Sequence, residues 1–131
     1  RVDGDDYVHQ DFLKILNSNL ELNSNFDAVY CDYQEVDEKE NIIKVTNSYS
    51  EPIGCGILFN VIHLFEMGLY DENLHMHEER DLRMRFEKKY KMYRCPLPLY
   101  RYRRHKESLT SDNIKFERHL KILNNKHKVK L

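Results

Sequence analysis

Three carboxylates crowd a single glycine near the start of the chain, in Arg1-Val2-Asp3-Gly4-Asp5-Asp6. Like charges this close repel, and neither a helix interior nor a strand interior supplies them with partners. A tight turn at a strand end tolerates them when a divalent cation neutralises them, and Mg²⁺ and Mn²⁺ favour such oxygen ligands. A D-x-D turn formed by Asp3 and Asp5 can place two carboxylates on one cation. That cation can bridge a diphosphate and stabilise charge on a departing phosphate. A calcium EF-hand fails on spacing: counting from Asp3 puts Tyr7 at loop position 5, Val8 at 6 and Lys14 at 12, where ligand, glycine and glutamate are required. A helix N-cap with extra acid beside the helix dipole remains the plainer alternative.

Two further constellations carry chemistry. In Glu78-Glu79-Arg80-Asp81-Leu82-Arg83-Met84-Arg85 the first two carboxylates lie at a helix start, where the dipole favours them. A carboxylate there, beside a cleft, is a candidate general base. Asp81 and Arg85 stand at i and i+4 and can pair on one face. An ordinary charged amphipathic helix is the competing reading. In Tyr100-Arg101-Tyr102-Arg103-Arg104-His105 and on to Thr110, aromatic and basic residues interleave. Such groups can hold phosphates, complete a metal site or stack on nucleic-acid bases, and an edge strand with alternating faces explains them equally. His75 and His77, two apart, could face one way on an extended segment and bind metal; surface or loop residues are the plainer reading, because further ligands for a closed metal site are not nearby in the sequence.

These residues must be positioned by elements, and the pattern predicts them. Phe12, Leu13, Leu16 and Leu20 share one face of a helix spanning 7–20. The β-branched and aromatic run at 28–36 predicts a strand, a charged turn follows at 37–41, and 42–45 returns as the second strand of a hairpin. A short strand is expected at 57–59, then a helix at 60–67 stopped by Gly68. A strong helix is expected at 78–90, two short strands at 92–96 and 97–104 around two prolines, and a last helix at 113–123 capped by Ser111 or Asp112. Alternating strands and helices define an α/β class with some antiparallel pairing.

Composition bounds the rest. The 131 residues fit one domain, with 33% charged and 40% hydrophobic residues, as in a globular chain. A net charge of -1 argues neither for nucleic acid nor for a membrane. No apolar run reaches the roughly 18 residues of a membrane helix. Cys31, Cys55 and Cys95 form no CxxC pair and sit among apolar or aromatic neighbours, so all three read as reduced packing residues.

Taken in order, these pieces resemble the second half of a family-2 glycosyltransferase catalytic domain of the GT-A fold. The matching stretches are VDGDDYV at 2–8, AVYCDYQEVDE at 28–38, PIGCGILFNVIHLFEMGLYDENL at 52–74, EERDLRMRF at 78–86 and YRYRRHKESLT at 100–110. The resemblance implies transfer of a sugar from a nucleotide-diphosphate-sugar donor to an acceptor hydroxyl with inversion, in cell-surface polysaccharide or glycolipid synthesis. It implies that Asp3 and Asp5 hold Mg²⁺ or Mn²⁺ with His105, and that Asp6, Arg103 and Arg104 face the donor diphosphate. Gly54, Cys55 and Gly56 map to the acceptor side. Glu79, or Glu78, is the base, with Asp81 and Arg85 in support; many relatives have Asp where Glu79 stands, which leaves the choice between the two open.

The resemblance also implies a partial GT-A fold, a mixed sheet with flanking helices, lacking the nucleotide-binding half that precedes the acidic turn in the family. Residues 1–110 would form the metal and acceptor half, and 111–131 a C-terminal helix and basic tail. The expectations are negligible activity for the 131-residue chain alone, either a fragment of a longer enzyme or a second copy covering the exposed sheet edge, and a glycan or lipid-linked acceptor. A cytoplasmic location is expected, with peripheral contact at the inner face of the cell membrane and no nucleic-acid partner. The alternatives are a non-catalytic interaction domain of the same fold and, further off, a nucleic-acid-binding module.

Overall fold

The computed structural model describes residues 1–105 and 113–129. In chain order the elements are β1 (Tyr7–Val8), α1 (Phe12–Leu22), β2 (Ala28–Val36), β3 (Ile42–Thr46), β4 (Ile57–Phe59), α2 (Val61–Glu66), α3 (Glu78–Lys89), β5 (Met92–Arg103) and α4 (Asn113–His127). The chain is mixed α/β, with a five-stranded mixed sheet and flanking helices. β2 is its centre. It runs parallel to β5 on one side and pairs antiparallel with β4 and then β3 on the other. Eight of its nine residues are buried, as a central strand with both faces covered requires.

Alternation along β2 sends residues to two cores. Val29, Cys31 and Tyr33 pack with Phe12 and Leu16 of α1 and with Leu99 and Tyr100 of β5. Ala28 and Tyr30 face the other way, onto Ile57 and Phe86 of α3. Leu16 and Phe86 are fully buried, and each contributes about 1.5–3 kcal/mol relative to an exposed side chain. All three cysteines are buried thiols, in keeping with a packing role.

Three expectations need correction. Tyr7 and Val8 do not begin the first helix; they pair with Arg101 and Tyr100 as β1, and α1 starts at Phe12. Tertiary pairing to β5 overrides the local helical pattern there. Leu13 is 65% exposed, so the inner face of α1 runs through Phe12, Ile15, Leu16 and Leu20 instead. The two short strands around the prolines form one long strand, β5, whose register against β2 slips on either side of Asp32. The slip accommodates Pro96 and Leu97 as a bulge, a position where a missing N–H is tolerated.

The last helix extends to His127, four residues beyond its expected end. Its expected cap, Ser111 or Asp112, lies outside the described residues, as do Lys106–Thr110 of the basic and aromatic segment. Among the described residues no helix is long and apolar enough to cross a membrane.

Candidate functional site

The acidic turn is closed by the Asp6 N–H donating to the Asp3 carbonyl at 3.1 Å. Its anchor is Tyr100, fully buried on β5. The Tyr100 hydroxyl accepts from the Asp3 N–H at 3.2 Å and donates to Asp6 Oδ2 at 2.6 Å. Arg103 N–H donates to the other Asp6 oxygen at 2.8 Å. β1 pairing with β5 is therefore what delivers the turn to this place. Arg1 Nε reaches Asp3 Oδ1 at 2.9 Å, and the Cys55 thiol donates to Asp3 Oδ2 at 3.1 Å. Burial pushes that thiol up to about 12, so Cys55 stays protonated and acts as a donor.

The three aspartates have different surroundings. The ligand atoms that converge, all within 4.8 Å, belong to Asp3, Asp6 and Cys55. Asp5 Oδ2 pairs with His105 Nε2 at 2.7 Å, so these two residues, both assigned to the metal, do touch one another. The hydrogen bond from His105 holds the Asp5 carboxyl below the usual range. Burial raises that of Asp6, against the bonds from Arg103 and Tyr100.

The second component enters on α3. His77 precedes the helix in the left-handed region, at φ 62°, an uncommon conformation for a residue with a Cβ. Its ring packs edge-on against Phe116 of α4, with centroids 4.7 Å apart. The next two residues are Glu78 and Glu79. Glu79 lies against Gly54: a Cβ added at Gly54 would stand 1.8 Å from Glu79 Cγ. Gly54 is thus the space that Glu79 occupies. Among the described residues, Glu79 Oε2 is buried without a hydrogen-bond partner. Burial pushes its carboxyl above the usual range, a backbone N–H draws it partly back, and the adjacent Glu78 carboxylate adds to the rise.

The start of α3 is fixed by Asp81, which is fully buried. Asp81 receives Arg85 Nε at 2.8 Å, Lys126 Nζ at 2.7 Å and His127 Nε2 at 2.7 Å. Burial opposes its ionisation, but these bonds outweigh it and hold its carboxyl below the usual range. Arg85 also donates to the carbonyls of Met67 and Leu69, tying α3 to the end of α2. The i,i+4 pair read from the sequence is therefore one edge of a node joining α3 to α4.

Asp3, Asp5, Asp6, Glu78, Glu79, Arg103 and His105 all line one cleft of about 430 Å³, together with Arg1, His75, His77, Tyr102 and Phe116. Arg104 is turned away from it. Its Nε binds Glu35 at 2.9 Å, and it lines an adjoining pocket of about 570 Å³ with His105 and the β2–β3 turn. Gly54, Cys55 and Gly56 support the cleft rather than line it: Gly54 under Glu79, Cys55 under Asp3. Gly56, at φ 71°, would place a Cβ 3.4 Å from Cys31 Sγ and Tyr100.

Sequence reasoning did not assign Tyr100, His77 or Phe116 to the site. For Tyr100 the available signal is its place two residues from Tyr102 in an alternating strand. No local signal marks Phe116, which arrives through the packing of α4. No protein-family model matches the chain, and no curated protein matches it.

Proposed function

We propose that this chain carries the metal and acceptor side of a family-2 glycosyltransferase of the GT-A fold, acting on a nucleotide-diphosphate sugar and a glycan or lipid-linked acceptor. The observation that carries this reading is the convergence of segments 1–6, 75–79 and 102–105 on one cleft. Turn carboxylates, a carboxylate with a raised pKa and cationic side chains then share one space. Metal-assisted departure of a nucleoside diphosphate requires that equipment. The hard oxygens of Asp3 and Asp6 suit Mg²⁺ or Mn²⁺, with Asp5 and His105 alongside. Such a cation, when bound, offsets charge on the donor diphosphate.

The protein's own groups do the rest. Glu79, with Oε2 unpartnered, takes the proton of the acceptor hydroxyl. The acceptor oxygen bonds to the anomeric carbon as the bond from that carbon to the diphosphate oxygen breaks. The nucleoside diphosphate departs with its electron pair toward Arg103 and His105. Placing a base and charge-complementary groups in one cleft lowers the barrier by orientation and by electrostatics. Five carboxylates line this cleft, which speaks against nucleic acid as its ligand.

Calorimetric titration with Mn²⁺, alone and with a nucleoside diphosphate, tests the reading. The expected result is nucleoside-diphosphate binding that depends on Mn²⁺ and is lost in the Asp3→Asn, Asp6→Asn double variant. Binding that ignores both the ion and the variant would remove its basis.

A further inference from the structure

Contacts give the cleft wall an order. The rings of His77 and Phe116 meet edge-on, and His77 Nε2 lies 3.5 Å from the Phe116 carbonyl oxygen. Glu78 and Glu79 follow His77 directly. Glu79 fills the space at Gly54, and the next residue, Cys55, donates to Asp3. The wall therefore runs from Phe116 and His77, through Glu79, to the acidic turn. Both arginines of the cleft belong to the turn end: Arg1 bonds Asp3, and Arg103 bonds Asp5 and Asp6. The opposite end consists of half-buried Met76, His77 and Phe116, with Glu78 and Glu79 as its charges. His77 is held there in the left-handed region, at a free-energy cost that the surrounding contacts must offset.

We infer that Phe116 and His77 form the seat of the acceptor ring, and that this ring is a neutral pyranoside. The inference rests on the glycosyl-transfer reading of the cleft. In a displacement with inversion, the attacking oxygen and the departing diphosphate lie on opposite sides of the anomeric carbon. With the diphosphate at the turn, the acceptor belongs to the end of the wall beyond Glu79, and that end is aromatic. A pyranose matches it: the C–H faces of the sugar ring are apolar and pack on an aromatic ring, while the hydroxyls at its rim can reach carboxylate oxygens. An acyl chain would bury area on the same two rings but would desolvate Glu78 and Glu79 without giving them a hydrogen bond. A uronate would set its own negative charge beside those carboxylates, with both arginines of the cleft already engaged at the turn.

Saturation-transfer difference NMR tests the inference with the methyl glycosides of glucose, galactose and N-acetylglucosamine, and with methyl glucuronide as the anionic counterpart. The expected result is transfer to the ring C–H protons of at least one neutral glycoside and none to the glucuronide. Phe116→Ala should weaken that binding roughly tenfold, and Phe116→Tyr, which keeps a ring, should retain it. His77→Gly removes the second ring but suits the left-handed backbone, so it should weaken binding in a chain that circular dichroism shows to be folded. Absence of neutral-glycoside binding, equal binding of the glucuronide, or binding unchanged in both Phe116→Ala and His77→Gly overturns the inference. The Mn²⁺ titration keeps the two readings apart. Nucleoside-diphosphate binding without glycoside binding removes the ring seat alone. Glycoside binding that Phe116→Ala weakens, without nucleoside-diphosphate binding, keeps the seat as a sugar site and removes the transfer.

Discussion

Glu79 is a carboxylate in a place that disfavours its charge. Burial and the Glu78 charge raise its pKa, more than a backbone N–H draws it back, and among the described residues Oε2 has no hydrogen-bond partner. A group in that condition costs folding free energy at neutral pH but is well matched to taking a proton there. Glu79→Gln should separate the two effects. On the proposed mechanism, turnover should fall at least roughly a hundredfold, while the neutral-pH melting temperature rises. A variant that loses both activity and stability would make Glu79 a structural residue.

Glu78→Gln removes a charge that raises the Glu79 pKa. The acid limb of the pH–rate profile, along which turnover grows as Glu79 ionises, should therefore move to lower pH. An unmoved limb would assign that ionisation to another group. Gly54→Ala should displace Glu79, because the added methyl and Glu79 Cγ cannot share that space. It should lower turnover with native-like circular dichroism, and an unaffected rate would show that Glu79 can act from elsewhere.

At the scale of elements, α3 places Glu79, the proposed base, and α4 holds α3. Their joint is Asp81, whose partners come from Arg85 on its own helix and from Lys126 and His127 on the other. Asp81→Ala leaves Arg85, Lys126 and His127 without their shared acceptor. Breaking a buried pair costs about 3–5 kcal/mol, and the lower end applies because Arg85 and Lys126 keep some access to water. Denaturant titration should show that loss, and hydrogen exchange should show α4 opening before the sheet. Equal protection of α4 in variant and wild type would contradict the joint.

Much of this level was legible. The β-branched run of β2 and the 3.6-residue period of α3 fix those elements by local pattern. The Asp81–Arg85 spacing gave the pair, but Lys126 and His127 lie more than forty residues away and no local period points to them. The local pattern at Tyr7 and Val8 points to helix for the same reason: their conformation is set by Arg101 and Tyr100 across the sheet.

For the molecule as a whole, four buried or half-buried carboxylates fall into two pairs of opposite effect. Asp32 is opposed by burial but held ionised by bidentate Arg94 and by Ser48, and Asp81 by its node, so both lie below the usual range. The unfolded chain therefore takes up these protons first on acidification. Their stabilisation is complete at neutral pH and fades as pH falls through and below about 4. Glu79 and Asp6 lie above the usual range and act in the opposite sense, costing stability as pH rises through their folded values. Urea denaturation as a function of pH should show a maximum in mildly acidic solution and a decline below about 4. Monotonic loss from pH 7 downward would mean that the Glu79 and Asp6 contributions are negligible.

The candidate site was legible as chemistry but not as geometry. Acidic turn, acidic helix start and basic strand end were each visible as residue types. Their meeting depends on β1 pairing with β5, on Gly54 admitting Glu79, and on Tyr100 holding both Asp3 and Asp6, all of them contacts between distant parts of the chain. Paramagnetic broadening by Mn²⁺ in amide NMR spectra reads out that meeting at the level of single residues. Substoichiometric Mn²⁺ should broaden residues 3–6, 77–79 and 102–105 together, and the Asp3→Asn, Asp6→Asn variant should abolish the effect at all three. Broadening of the 3–6 segment without the other two, or centred on the acidic β2–β3 turn at Asp37–Asn41, would contradict it.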